Sequence, residues 1–124
     1  MKICLDDERS VYLDASGNTY FAKYPHHVDD RCDRHWIIIR DAKVFLSTLA
    51  ILGSHVTEIS LDHDLGDHLP NGSHVLNEIE KWVADAKGYH LSKDLDIRIH
   101  SANPVGQANM SLAIASIKRL MVGV

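Results

Sequence analysis

Cysteine, excess positive charge and long apolar runs are what this chain has little of, and each shortage closes off a class of function. Its two cysteines, Cys4 and Cys32, lack the spacing of a disulfide framework, which points to a reducing compartment. Cys4, inside an apolar run, is expected to pack in the core with its thiol free. A formal net charge of −4 lacks the basic footprint of an extended duplex binder, although it leaves room for a small anionic ligand held through a metal. No apolar stretch approaches the length of a membrane span, so no membrane association is expected. The first strand-like run opens at Ile3, which leaves no room for a secretory leader, and a cytoplasmic location is the expectation. Internal repeats and low-complexity segments are absent.

The 124 residues, 45 % apolar and 24 % charged, suit one soluble globular domain spanning 1–124. The pattern along the chain is strand, irregular insertion, strand, helix, strand, helix, strand, helix, which argues for an α/β fold with a parallel sheet. The insertion covers 10–35. Within it, Val11 to Lys23 reads as a hairpin around Asp14-Ala15-Ser16-Gly17-Asn18, with Tyr12, Tyr20 and Phe21 on its arms. A polar stretch from Tyr24 to Arg34 follows. Trp36 to Ile39 is an unbroken apolar run, read as a strand buried on both faces. Asp41 is placed to cap a helix carrying Val44, Phe45, Leu49 and Leu52, with Gly53 at its C-terminal cap. Val75, Leu76, Ile79, Trp82, Val83 and Ala86 recur at helical spacing, and Met110, Ile114, Ile117 and Met121 mark a third helix.

Three of the strand-like runs end in polar clusters. Ile3-Cys4-Leu5 ends in Asp6-Asp7-Glu8-Arg9, Ile59-Ser60-Leu61 in Asp62-His63-Asp64, and Ile97-Arg98-Ile99 in His100-Ser101-Ala102-Asn103. Ligands of open α/β sheets bind beyond the carboxyl ends of the strands, so these clusters are expected to meet as one site. Asp6, Asp7, Asp62 and Asp64 would repel one another at close range unless a cation sat between them. A hard divalent ion with oxygen ligands suits that set: Mg²⁺ first, with Mn²⁺ or Zn²⁺ as alternatives because His63 and His100 stand nearby. The plainer alternative is that these aspartates only cap turns and helices.

Arg9 and Arg40, just past the first two strands, could each hold a phosphate in bidentate fashion, or pair with the adjacent carboxylates. Ser101 and Asn103 could donate hydrogen bonds to phosphate oxygens, and Pro104-Val105-Gly106 leads into a helix whose N-terminus favours anions. His26, His27, Asp29, Asp30 and Asp33 form a looser set. They would serve as a loop closing over a ligand, with Tyr24 to recognise a base, or as a solvated connector. His68 could face the site or solvent.

The motifs Leu5-Asp6-Asp7-Glu8-Arg9, Ser60-Leu61-Asp62-His63-Asp64-Leu65-Gly66 and His100-Ser101-Ala102-Asn103-Pro104, with Asn109-Met110 downstream, resemble the cyclic-phosphate processing receiver-like domain. That is a divergent branch of the CheY-like receivers of two-component signalling. The resemblance covers the three strand ends and most of the chain from Trp36 onward, but not Ser10 to His35. It implies a receiver-like, flavodoxin-like three-layer or reduced two-layer domain whose four parallel strands run in the order 2-1-3-4. The hairpin insertion would stand in place of the first crossover helix. The fifth strand, with the lysine that contacts an acyl phosphate in ordinary receivers, would be absent, which argues against conventional phosphorelay.

What the resemblance implies for function is a metal-dependent phosphoesterase, a hydrolase of a cyclic phosphate. Its substrate would be an RNA end bearing a 2′,3′-cyclic phosphate or a small cyclic nucleotide. His63 and His100 would carry the proton taken from water and the proton given to the leaving alkoxide; Asp62 could instead attack phosphorus itself. Two other classes stay open: a phosphoacceptor regulator labelled at Asp62, and a module that binds a cyclic nucleotide without turnover. In the order 2-1-3-4 the first two helices share one face of the sheet. The last helix, the hairpin, or a second subunit in a homodimer is then expected to cover the other.

Overall fold

Every second residue of the first strand faces the same way, and that alternation accounts for the layering of the molecule. The computed structural model describes residues 1–62, 72–85, 91–92, 94–100 and 104–122. In chain order the elements are β1 (Lys2–Leu5), β2 (Ser10–Leu13), β3 (Thr19–Ala22), β4 (Arg31–Cys32), β5 (Trp36–Ile39), α1 (Ala42–Leu52), a 3-10 turn (Gly53–His55), β6 (Glu58–Leu61), α2 (Gly72–Asp85), β7 (Asp96–Ile99) and α3 (Pro104–Val122). β1, β5, β6 and β7 form a parallel sheet in the order β5-β1-β6-β7, and β2, β3 and β4 a separate antiparallel sheet in the order β3-β2-β4. The expected label 2-1-3-4 does not carry over, because the insertion contributes three strands of its own to the numbering. Its third strand, the two-residue β4 paired to β2, is an addition to the simple hairpin read from the sequence.

Ile3 and Leu5 of β1, Ile59 and Leu61 of β6 and Ile97 of β7 join Phe45 and Leu49 of α1, Val75, Leu76 and Ile79 of α2, and Met110 and Ile117 of α3 in one buried cluster. All three helices therefore cover the same face. Cys4, Trp36 and Ile38 point to the other, where Val11 and Phe21 of the hairpin pack on them. The insertion thus closes the far side of β1 and β5. On β6 and β7 that face is polar instead: Arg98 Nε lies 3.1 Å from Glu58 Oε1 and 2.7 Å from Asp96 Oδ2, and Lys2 Nζ 3.5 Å from Glu58 Oε2. Of the covers expected for this face, the hairpin is the one found on β1 and β5.

One local expectation is corrected. β5 is an edge strand, and Ile37 is 48 % exposed, so its apolar run is not buried on both faces. Gly53 is the C-terminal cap of α1 as expected, right-handed at φ −52°, and it also opens the 3-10 turn. Asp41 does cap α1: its Oδ1 accepts from the amides of Lys43 at 2.8 Å and Val44 at 3.1 Å. The Asp14–Asn18 turn closes with Gly17 at φ +81°, a conformation that glycine adopts without a Cβ penalty. Ala86 of the α2 stripe lies outside the described residues. No described helix is long and apolar enough to cross a membrane.

Candidate metal centre at the carboxyl edge of the sheet

Each of three parallel strands carries its ladder one residue past its end. The amide of Asp6 donates to Ile39 O at 3.1 Å, that of Asp62 to Leu5 O at 3.0 Å, and that of His100 to Leu61 O at 3.0 Å. Because Cys4, Ser60 and Arg98 are register partners, Asp6, Asp62 and His100 stand two residues further along on the same side, toward the hairpin. One carboxylate oxygen from each of Asp6, Asp7 and Asp62 lies within 4.8 Å of the others. Asp6 is wholly buried and Asp62 is 4 % exposed.

Asp6 is held through both of its carboxylate oxygens. Its Oδ1 accepts from the amides of Arg9 at 2.7 Å and Glu8 at 2.9 Å, and its Oδ2 lies 2.9 Å from Nε2 of His100 and 3.9 Å from Nε of Arg9. Burial pushes its carboxyl up, but the His100 hydrogen bond, the two amides and the charge of His100 outweigh it and leave the pKa lowered. Asp6 is thus an ionised carboxylate in a dry place. The other nitrogen of His100, Nδ1, is 2.7 Å from the hydroxyl of Ser60. Phe21 stacks on the ring, centroids 4.2 Å apart and planes within 4°.

The donor set fits a hard divalent cation. Around Mg²⁺, with bonds of about 2.0–2.1 Å, neighbouring oxygens stand about 3–4 Å apart, so three oxygens already within 4.8 Å close on an ion with little movement. A cation would also offset the repulsion among carboxylates that burial otherwise makes costly.

The remaining sequence expectations divide. Asp6, Asp7, Asp62 and His100 are brought together. Arg9 sits at the rim, with Nη1 donating to His100 O at 2.9 Å. Arg40 is turned to the backbone: its Nη1 donates to Asp6 O at 3.1 Å and Arg9 O at 2.6 Å, and its Nη2 to Ser10 Oγ at 3.2 Å. It braces the loop after β1 rather than offering a free fork to phosphate. His63, Asp64, His68, Ser101 and Asn103 lie outside the described residues. Of the looser set, Asp30 accepts from Tyr20 Oη, His26 stacks on Tyr20 at 4.3 Å, and Asp33 accepts from Thr19 Oγ1 at 3.0 Å. Those contacts fold the polar stretch back onto its own hairpin, and Tyr24 is left 72 % exposed.

Two contributors were given no role by the sequence reading: Ser60 and Phe21. A polar residue inside the run Ile59-Ser60-Leu61 was a signal for the first, since a buried hydroxyl needs a partner. Nothing local marked Phe21 as a neighbour of His100.

Comparison with known proteins places the geometry in context. A model of the cyclic-phosphate processing receiver domain matches residues 1–116, a span that includes the insertion at 10–35. Among curated proteins and solved structures, nothing matches the chain.

Proposed function

The chain belongs to the cyclic-phosphate processing receiver family, and from that membership together with its carboxylate cluster we propose that it hydrolyses a cyclic phosphate ester with the help of a divalent cation. The observation that supports this most is the convergence of Asp6, Asp7 and Asp62 from two strand ends to within 4.8 Å. Asp6, Asp7 and Asp62 would hold the cation, with Asp64 as a further ligand by its place in the motif. When bound, such an ion polarises phosphorus and eases the loss of a proton from water.

The chain's own part is positioning and proton handling. Arg9, on the rim and a third exposed, is assigned to orient the phosphate, its guanidinium already steadied by His100 O. Ser101 and Asn103 are assigned the same task by their motif. His63 is the residue proposed to carry the proton, because both ring nitrogens of His100 are engaged within the fold. In the reaction, water oxygen bonds to phosphorus, one ring P–O bond breaks, and the proton lost by water ends on the released alkoxide. The products are a phosphomonoester and a free hydroxyl.

The test is incubation with Mg²⁺, Mn²⁺ or Zn²⁺ and 2′,3′-cyclic, 3′,5′-cyclic and cyclic oligonucleotide substrates, followed by phosphorus NMR beside Asp62→Asn. Metal-dependent ring opening that the variant lacks is the expected result. Intact substrates under every metal would overturn the proposal.

A further inference from the structure

Among the described residues Phe21 of the insertion touches the site at His100, and His100 is the middle member of a hydrogen-bonded chain of three residues. Ser60 of β6, His100 after β7 and Asp6 after β1 are joined in line, Ser60 Oγ to Nδ1 at 2.7 Å and Nε2 to Asp6 Oδ2 at 2.9 Å. Ser60 is 2 % exposed and the His100 side chain 8 %. The order serine, histidine, aspartate has the form of a nucleophile, its base and an orienting acid. Burial excludes that use, because no substrate reaches a hydroxyl closed into the sheet. Closed off from substrate, the chain is placed to hold its members in position, its far end at Asp6 included.

The hydrogen-bond inventory shows what is fixed. A carboxylate has about four acceptor positions. The amides of Glu8 and Arg9 take both on Asp6 Oδ1, and the His100 ring takes one on Oδ2. One position on Oδ2, with Arg9 Nε 3.9 Å away and beyond hydrogen-bond distance, is left for a cation. Its direction depends on where His100 lies, because the ring and the ion share that oxygen. The Asp6 carboxylate can only accept, so Nε2 carries a proton and donates to Oδ2, while Nδ1 faces the Ser60 hydroxyl. Phe21 lies flat on the ring at 4.2 Å and excludes water from the face that the helices do not cover.

We propose that Ser60 and Phe21 are positioning residues of the metal centre: together they lock the His100 ring, which aims the open position of Asp6 Oδ2 at the cation. The three-stranded insertion is on this account a component of the site, acting through Phe21, and not only a cover for β1 and β5. The inference rests on the metal reading above. It predicts that outer groups orienting a ligand matter nearly as much as the ligand itself, by about ten- to a hundredfold in metal affinity.

The experiment is Mn²⁺ titration by paramagnetic resonance, joined to long-range proton–nitrogen NMR of the His100 ring, on the whole chain. The wild type is expected to bind Mn²⁺ and show a single tautomer protonated at Nε2. Ser60→Ala should lose the single tautomer and bind Mn²⁺ about tenfold or more weakly, and Ser60→Thr, which restores a hydroxyl, should recover both. Phe21→Leu should weaken binding while Phe21→Tyr, which keeps the ring, should not. A wild type that takes up no Mn²⁺ would sink the metal reading and this proposal with it. Mn²⁺ bound equally by wild type, Ser60→Ala and Phe21→Leu, with an unchanged ring spectrum, would overturn the positioning role alone.

Discussion

The amide of Gly72 donates to the carbonyl of Asp62 at 3.1 Å, so the first residue of α2 is tied directly to the strand end that carries a metal-site carboxylate. A Cβ at position 72 would stand 2.5 Å from that carbonyl oxygen and 2.6 Å from Cε of Met110. The end of a methionine can swing aside, whereas the carbonyl can move only by carrying Asp62 with it. Gly72→Ala is therefore expected to destabilise the fold by about 1–3 kcal/mol, the usual cost of overpacking, and to weaken cation uptake at the same time. Denaturant unfolding and Mn²⁺ titration of the variant check this; wild-type behaviour in both would count against it.

Much of the site was legible because its strand ends obey a simple rule. A short apolar run that stops at Asp6-Asp7 or at Asp62 marks the carboxyl end of a strand, and parallel strands place such ends side by side. The coupling of Ser60 and Phe21 to His100 was not legible, because those contacts span 40 and 79 positions of sequence and depend on how two sheets stack. The misreading of Trp36–Ile39 has a related cause. An apolar run records that its side chains avoid water, and an edge strand covered by a hairpin on one face and only in part by helices on the other, with Ile37 half-exposed, leaves nearly the same record as a central strand.

Acid should loosen the fold through Asp6. Its pKa is lowered in the folded protein, so the folded state binds fewer protons than the unfolded one as pH falls past the ordinary carboxyl range. The stabilisation is present above about pH 4 and is lost progressively below it. Asp6→Asn leaves His100 and two amides with a weaker acceptor and is expected to cost about 3 kcal/mol at neutral pH. Urea unfolding of both proteins in chelator, at pH 7 and pH 3, should show that difference shrinking in acid. An equal difference at both values would show that the Asp6 charge does not stabilise the fold.

The two cysteines should react at very different rates. Burial, helped by the negative charge of Asp6 and opposed by Arg40, pushes the Cys4 thiol up to about 12, whereas Cys32 is exposed. A thiol reagent at pH 8 is expected to take up one equivalent on the native protein and a second only after denaturation, since the thiolate is the reactive form. Above about pH 9 the unfolded chain loses the Cys4 proton and the folded chain keeps it, so stability should fall by about 1.4 kcal/mol per pH unit from this group. That slope should be missing from Cys4→Ala; its persistence there would assign it to other groups.

Cation binding should also be visible as stability, independent of any turnover. Asp6 and Asp62 are buried with their carboxylates close to each other and to Asp7, and an ion that binds only the folded arrangement stabilises it by mass action. At a hundred times its dissociation constant the gain is about 2.7 kcal/mol. For a chain of this size 1 kcal/mol moves the melting temperature by roughly 3–6 °C, so a rise of roughly 10 °C is expected between chelator and saturating Mg²⁺ or Mn²⁺. Asp62→Asn removes one charge from the cluster. It takes away a ligand in the loaded protein, so the variant should gain far less from metal than wild type does. Melting curves of the two proteins, with and without metal, measure both gains. If wild type and Asp62→Asn respond alike, the carboxylate cluster is a structural feature of the sheet edge and the cation lies elsewhere.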